Sequence, residues 1–388
     1  MTTSIFAELQ ESLDESGPEA ALQQLAQFFE SEQRYHELFE VMKMQARRRL
    51  NLPMMASESD DEFPKGVREQ LEQALLDACR QVGTELLRSG QLRDAWHYLR
   101  AVGDTPLVLR ELAQVSPNEE NLDQFLELCI HEGLDLERGF QALLQHYGTC
   151  NTITTFDSAM YGRPRAQRAI GAQLLVAHVY DELLQNVRSH IERHEGTTPS
   201  ADQTLADLIQ NRDWLFNDGT YHIDTTHLSS VVNFARDLDS EKQLRQAMQL
   251  ATYGQQLDEN LQYEGEEPFC PLYETSQRYF RTLLDEDRES QLAFFRGRAE
   301  ATNPREDTTL AIETYVDLLA RVGEHRLAIQ ESLRLLPDDV QQTGRAPSLM
   351  ELARACHDYQ AVIEVSRRRN DPLAYAMCIL SADNNETD

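Results

Sequence analysis

Histidine is the side chain best suited to hold a transition metal or to pass a proton near neutral pH, so its spacing is the first thing to weigh. Five histidines fall between positions 178 and 227, with carboxylates among them: His178, Asp181, Glu182, His190, His194, His222, Asp224 and His227. Such sets form metal sites when helices project them into a bundle core. His190 and His194 are four residues apart and share one helical face, which continues the apolar stripe of Leu183 and Val187. Both also fall in a last helical turn, where a histidine is favourable against the helix dipole without any metal. His222 and His227 are five apart. On a helix they diverge by about 140°, and on a strand they take opposite faces. Only an irregular loop could make His190, His194, His222 and His227 the ligands of a metal-dependent enzyme, which is the alternative function to be tested.

The stretch 213–236, DWLFNDGTYHIDTTHLSSVVNFAR, gathers aromatics, a turn signal and two of these histidines. Asn217-Asp218-Gly219 reads as a turn, Tyr221–Ile223 as a short extended piece, and Asp224, Thr225 or Thr226 as the cap of a helix with His227 in its first turn. Trp214, Phe216 and Tyr221 serve to pack the loop or, if exposed, to contact a peptide. The candidate partner-binding residues are therefore Trp214, Phe216, Tyr221, His222, Asp224 and His227. There is no GxxxxGK[ST], GxGxxG, HExxH or GxSxG, which removes the sharp-motif nucleotide, zinc-protease and serine-hydrolase readings. The pairs Asp60-Asp61, Glu266-Glu267 and Asp338-Asp339 lie beside turns or prolines and read as solvated. No catalytic residue and no cofactor is assigned.

Composition narrows the partners. The chain has 388 residues, 41% apolar and 26% charged, with 66 acidic against 36 basic residues and a formal net charge of −30. Phosphate backbones and anionic leaflets are bound through Lys and Arg, so nucleic acid and membrane are not expected as partners. A basic protein or peptide is. Gly (17) and Pro (13) are scarce, which disfavours sandwiches and barrels. Six cysteines without a CxxC pair, and an N-terminus MTTSIFAELQESLDESG with neither basic nor apolar leader region, suggest reduced thiols in the cytoplasm. The longest apolar run, Leu174–Tyr180, is broken by His178 and is too short to span a membrane.

Apolar residues recur at helical spacing nearly everywhere and nowhere alternate as in strands. Helices are expected over 3–15, 18–30, 32–50, 67–88, 91–102, 107–115, 119–132 and 135–147. A long Thr- and Gly-rich loop is expected at 147–164. The longest helix, 165–195, closes on Gly196, and further helices follow over 200–212, 227–237, 240–263, 272–284 and 287–301. The expected class is all-α.

At 83–99, Gly83, Gly90 and Ala95 stand at the offsets of the small residue, turn glycine and second small residue of a helical hairpin, with Leu86 and Leu99 at the large apolar positions. Val322-Gly323-Glu324-His325-Arg326-Leu327-Ala328 repeats the pattern, ending early at Pro337. LMELARACHDYQAVIEVSRRRNDP at 349–372 repeats it with His357 in place of the glycine, and Ala328 and Ala361 are 33 residues apart. These segments resemble tetratricopeptide (TPR) repeats. The resemblance, confined to about 67–107 and 305–380, implies a TPR-like α-solenoid array of stacked hairpins with a concave recognition surface. The expected organisation is an N-terminal helical segment 1–50, an acidic loop 51–66, TPR-like hairpins 67–150, an irregular middle region 151–303, C-terminal TPR-like hairpins 304–380 and a tail 381–388. The expected function is a non-enzymatic intracellular scaffold whose acidic concave surface binds a protein or peptide segment.

Overall fold

The computed structural model describes residues 5–55 and 63–384. Residues 56–62 of the expected acidic loop and 385–388 of the expected tail lie outside the described residues. No strand occurs among the described residues, and the class is all-α as expected. The chain forms two compact units, Met1–Gly148 and Thr149–Asp388.

In the first unit α1 (Ile5–Ser16), α2 (Pro18–Ser31), α3 (Tyr35–Arg49), α4 (Lys65–Arg88) and α5 (Leu92–Val102) each pack on the next, in the manner of a solenoid. The α4/α5 hairpin shows why small residues are needed. A Cβ on Gly83 would stand 2.6 Å from Leu99 Cγ and 3.2 Å from the Ala95 carbonyl oxygen. Gly90 turns the chain with φ of 82°, a conformation that other residues rarely adopt. Next come α6 (Thr105–Leu112), capped by Asp104, and α7 (Leu122–Leu126). The expected helix 119–132 is helical over 122–131, α-helical to Leu126 and π-helical at Glu127–His131.

The expected loop 147–164 is corrected by the structure. Helix α8 (Leu136–Met160) is two helical segments separated by a kink at Gly148, where φ is 77° and ψ 179°, and the second segment covers most of the expected loop. Beyond that glycine Thr152, Phe156 and Met160 are buried at i, i+4 and i+8. The hydroxyls of Thr154 and Ser158 donate to the carbonyls four residues back, of Cys150 and Thr154. A β-branched residue costs a helix only a few tenths of a kcal/mol, whereas burying a phenylalanine side chain returns roughly 2 to 3 kcal/mol. Burial decides.

The second unit continues with α9 (Arg165–Glu195), α10 (Leu205–Ile209), a 3-10 turn at Asp213–Gly219, α11 (Thr225–Phe234) and α12 (Glu241–Gln256). It is completed by α13 (Leu272–Leu283), α14 (Arg288–Ala301), α15 (Leu310–Arg321), α16 (His325–Leu335), α17 (Leu349–Cys356), α18 (Gln360–Arg368) and α19 (Pro372–Asn384). Most of these again pack on their sequence neighbours, whereas α9 is the spine on which α10, α11 and α12 lie. Its stripe of Val176, Val179, Leu183, Val187 and Ile191 is fully buried, and Gly196 ends it with φ of 70°. The expected helix 200–212 shrinks to five residues between the Thr204/Asp207 capping box and Asn211, which has φ of 60°.

Arginines tie the second unit together. Arg168 grips Asp237 bidentately at 2.8 Å, and Arg165 holds Asp239 at 2.6 Å. Arg321 donates to the Arg236 carbonyl at 2.6 Å, to the Tyr279 hydroxyl at 2.8 Å and to Asp239 at 2.9 Å. The buried carboxylate of Glu313 accepts from Thr309 Oγ1, Thr343 N, Thr343 Oγ1 and Arg345 N, and so pins the segment after α16 onto α15.

Candidate functional site

The site is assembled from α9, the 3-10 turn and α12. Val187 and Ile191 face the core, so the neighbouring His190 and the more C-terminal His194 flank the buried stripe. Trp214, carried by the 3-10 turn, lies flat on His194 with centroids 3.9 Å apart and planes 20° apart. It stands perpendicular to the His190 ring, with centroids 5.3 Å and planes 89° apart. The chain then reverses through Asp218 (φ 55°) and Gly219 (φ 72°), and Thr220 N donates to the Asn217 carbonyl at 3.1 Å. The turn expected at 217–219 is in place.

That reversal delivers His222 between two helices. His222 Nε2 is 2.7 Å from His190 Nδ1 on α9, and His222 Nδ1 is 2.8 Å from the hydroxyl of Tyr253 on α12. The same hydroxyl accepts the His222 backbone N–H at 2.8 Å, and Asn186 Nδ2 donates to the His222 carbonyl at 2.8 Å. Phe216 fills the remaining side, 5.2 Å from the Tyr253 ring.

These contacts fix where the protons sit. The Tyr253 oxygen already accepts a backbone N–H, and among the described residues His222 Nδ1 is the one acceptor within reach of its own hydrogen. Tyr253 therefore donates to His222 Nδ1, His222 donates through Nε2–H to His190 Nδ1, and His190 carries its hydrogen on Nε2. The result is an ordered donor chain from a fully buried phenol to the half-buried His190. Burial, then the charges of His190 and Arg193, hold the His222 imidazole down at about 4. His190 is lowered by burial and by Arg193 and His194. Burial raises the Tyr253 phenol. At neutral pH all three groups are uncharged, as the hydrogen bonding requires.

Of the expected site residues, Trp214, Phe216 and His222 belong to this cluster together with His190 and His194. Tyr221 stands outside it and is 55% exposed. Asp224 caps α11, accepting from Thr226 N at 2.8 Å and His227 N at 3.3 Å, and its carboxyl is held low, first of all by the Thr226 hydroxyl. His227 lies in the first turn of α11, and no hydrogen bond or ring contact among the described residues joins it to the other histidines. Among the described residues no three His, Cys, Asp or Glu side chains stand where they could hold a metal ion. The 2.7 Å between His190 Nδ1 and His222 Nε2 is a direct hydrogen bond. Sequence reasoning missed Tyr253. No motif marks it: the glycine beside it, Gly254 in the last turn of α12, reflects the close approach of the Tyr273 ring, 2.5 Å from where its Cβ would stand.

Comparison with protein-family models, curated proteins and solved structures finds no match to this chain. Among the described residues no helix is long and apolar enough to cross a membrane.

Proposed function

We propose that the protein is a non-enzymatic interaction scaffold, TPR-like in its hairpins, whose acidic concave surface binds a basic protein or peptide segment, with Tyr221 as an exposed contact beside it. One observation supports this above the rest: among the described residues most of the cations are paired with carboxylates of the same chain. Arginines pair with carboxylates of the same chain throughout, among them Arg168 with Asp237, Arg298 with Glu267, Arg334 with Glu300 and Arg369 with Asp338. Even if every Lys and Arg found a partner, 66 − 36 = 30 acidic residues would stay unneutralised. A field of that sign speeds and selects cationic partners, and its effect falls with salt.

The test uses a fluorescent Lys/Arg-rich peptide and a neutral peptide of equal length. Saturable binding of the first alone is expected, weaker by about tenfold or more between low and high salt, and weakened further in Tyr221→Ala. No binding, or binding indifferent to salt, overturns the proposal. Stoichiometric transition metal in the purified protein would favour the metal-dependent enzyme instead.

A further inference from the structure

The second unit holds a cavity of about 560 Å³ whose lining is mostly glutamine and arginine. Glu274, Gln277, Arg278 and Arg281 stand at i, i+3, i+4 and i+7 and share one face of α13. Gln255, near the end of α12, and Gln262, in the segment that follows, join them in the lining. Cavities for apolar ligands are lined by apolar and aromatic side chains, so this one suits a polar ligand.

Hydrogen bonds decide which end of each carboxamide is left over. The Thr252 hydroxyl donates to the Met248 carbonyl at 2.9 Å, so the Gln277 atom 2.8 Å from its oxygen is the donor Nε2. That nitrogen also reaches Gln255 at 3.2 Å, where it meets the acceptor Oε1. Gln262 Nε2 donates to two carbonyls, of Leu257 at 2.8 Å and Gln255 at 3.2 Å. Among the described residues Gln277 Oε1, Gln262 Oε1 and Gln255 Nε2 are therefore without partners. Gln277 is only 9% exposed, yet its free oxygen is not sealed from solvent, so it opens into the cavity that the residue lines. Glu274 commits Oε1 to Arg278, at 3.3 Å from Nε and 2.9 Å from Nη2, and keeps Oε2. Arg278 is further held by Gln291 at 3.4 Å and by the Phe294 ring. Arg281 is exposed and forms no ion pair or side-chain hydrogen bond among the described residues.

We propose that this cavity binds a free α-amino acid as its zwitterion. Glu274 Oε2, Gln262 Oε1 and Gln277 Oε1 are acceptors for the N–H bonds of the ammonium group. Arg281 and Gln255 Nε2 are donors for the carboxylate. A sugar or a peptide group would leave the Arg281 charge unmatched, and a phosphate would meet a single uncommitted cation beside a carboxylate. The site is independent of the peptide-binding reading, which rests on the acidic surface.

The test is isothermal titration of the full chain with each common L-amino acid, then with the α-amide and the N-acetyl form of the tightest binder. Saturable binding of at least one amino acid is expected. Either cap should weaken it about tenfold or more, because each removes one charge and its hydrogen bonds. Arg281→Gln and Gln277→Leu should each weaken it by a similar factor with unchanged helical circular dichroism, and Arg281→Gln lies at an exposed position where folding is not at stake. No binding of any amino acid up to about 10 mM overturns the proposal. So does binding of the capped forms or of Arg281→Gln at full strength, or tighter binding of AMP or glucose than of any amino acid.

Discussion

Acidification tests the His190–His222–Tyr253 chain directly. The perturbation is a fall in pH through the window between the ordinary histidine value of 6.5 and the folded-state value of about 4 for His222. Its folded-state value is lowered, so above the window His222 is neutral in both states and its contribution to stability is complete. Within the window the unfolded chain takes up a proton that the folded chain refuses, and stability is lost as pH falls. Below about 4 both forms are protonated and the loss levels off. A shift from 6.5 to about 4 corresponds to roughly 3 kcal/mol at 1.36 kcal/mol per unit. His190, lowered for similar reasons, adds a loss of the same sign.

A background of opposite sign must be removed. The chain carries a formal charge of −30, and protonating its surface carboxylates relieves self-repulsion over the same range. The informative quantity is therefore the difference between wild type and His222→Gln. The amide can accept from Tyr253 and donate to His190, but it does not titrate. Urea unfolding midpoints taken at pH steps from about 7.5 to 4.5 should show wild type losing roughly 2 to 3 kcal/mol more than the variant. Parallel curves for the two proteins would refute the buried, neutral donor chain.

Three further outcomes follow from the same geometry. Long-range proton–nitrogen correlation spectra at neutral pH should show both His190 and His222 protonated at Nε2; a proton on Nδ1 of His222 would reverse the order of donors. Gly83→Ala should destabilise by about 1 to 3 kcal/mol, because its Cβ would meet Leu99 Cγ at 2.6 Å, and calorimetry should find much of that loss relieved in the double variant with Leu99→Ala. Glu313→Ala leaves the backbone N–H groups of Thr343 and Arg345 without their acceptor, so about 3 kcal/mol or more should be lost, with hydrogen exchange rising first in the segment after α16.

What could be read from the sequence and what could not divide along physical lines. The bounds 165–195 are those of α9, because a strict apolar stripe and a C-terminal glycine are both local signals. The Asp224 cap and the 217–219 turn are local in the same sense and stand where their residue types require. The 147–164 segment was misjudged because Thr and Gly weigh against a helix locally, while the burial of Phe156 and Met160 is a tertiary fact. Spacing joins His190 to His194 and His222 to His227, whereas the structure joins His190 to His222, 32 residues apart. No periodicity within one element can show a pairing that a turn and two helices create.

That pairing also changes what the loop can be asked to do. An array of helices can cover its own backbone, but a loop crossing two helices brings polar groups that need partners. His222 meets this with its amide, its carbonyl and both ring nitrogens engaged. Trp214 is committed to His194, and Phe216 to Tyr253. Residues so engaged cannot turn outward to a partner without dismantling the contacts that position them. Substituting Trp214 or His222 would thus confound loss of binding with loss of the loop, whereas Tyr221, exposed and outside the donor chain, separates the two. A partner that depends on Tyr221 while the pH response of His222 stays intact would show the loop acting as a rigid platform.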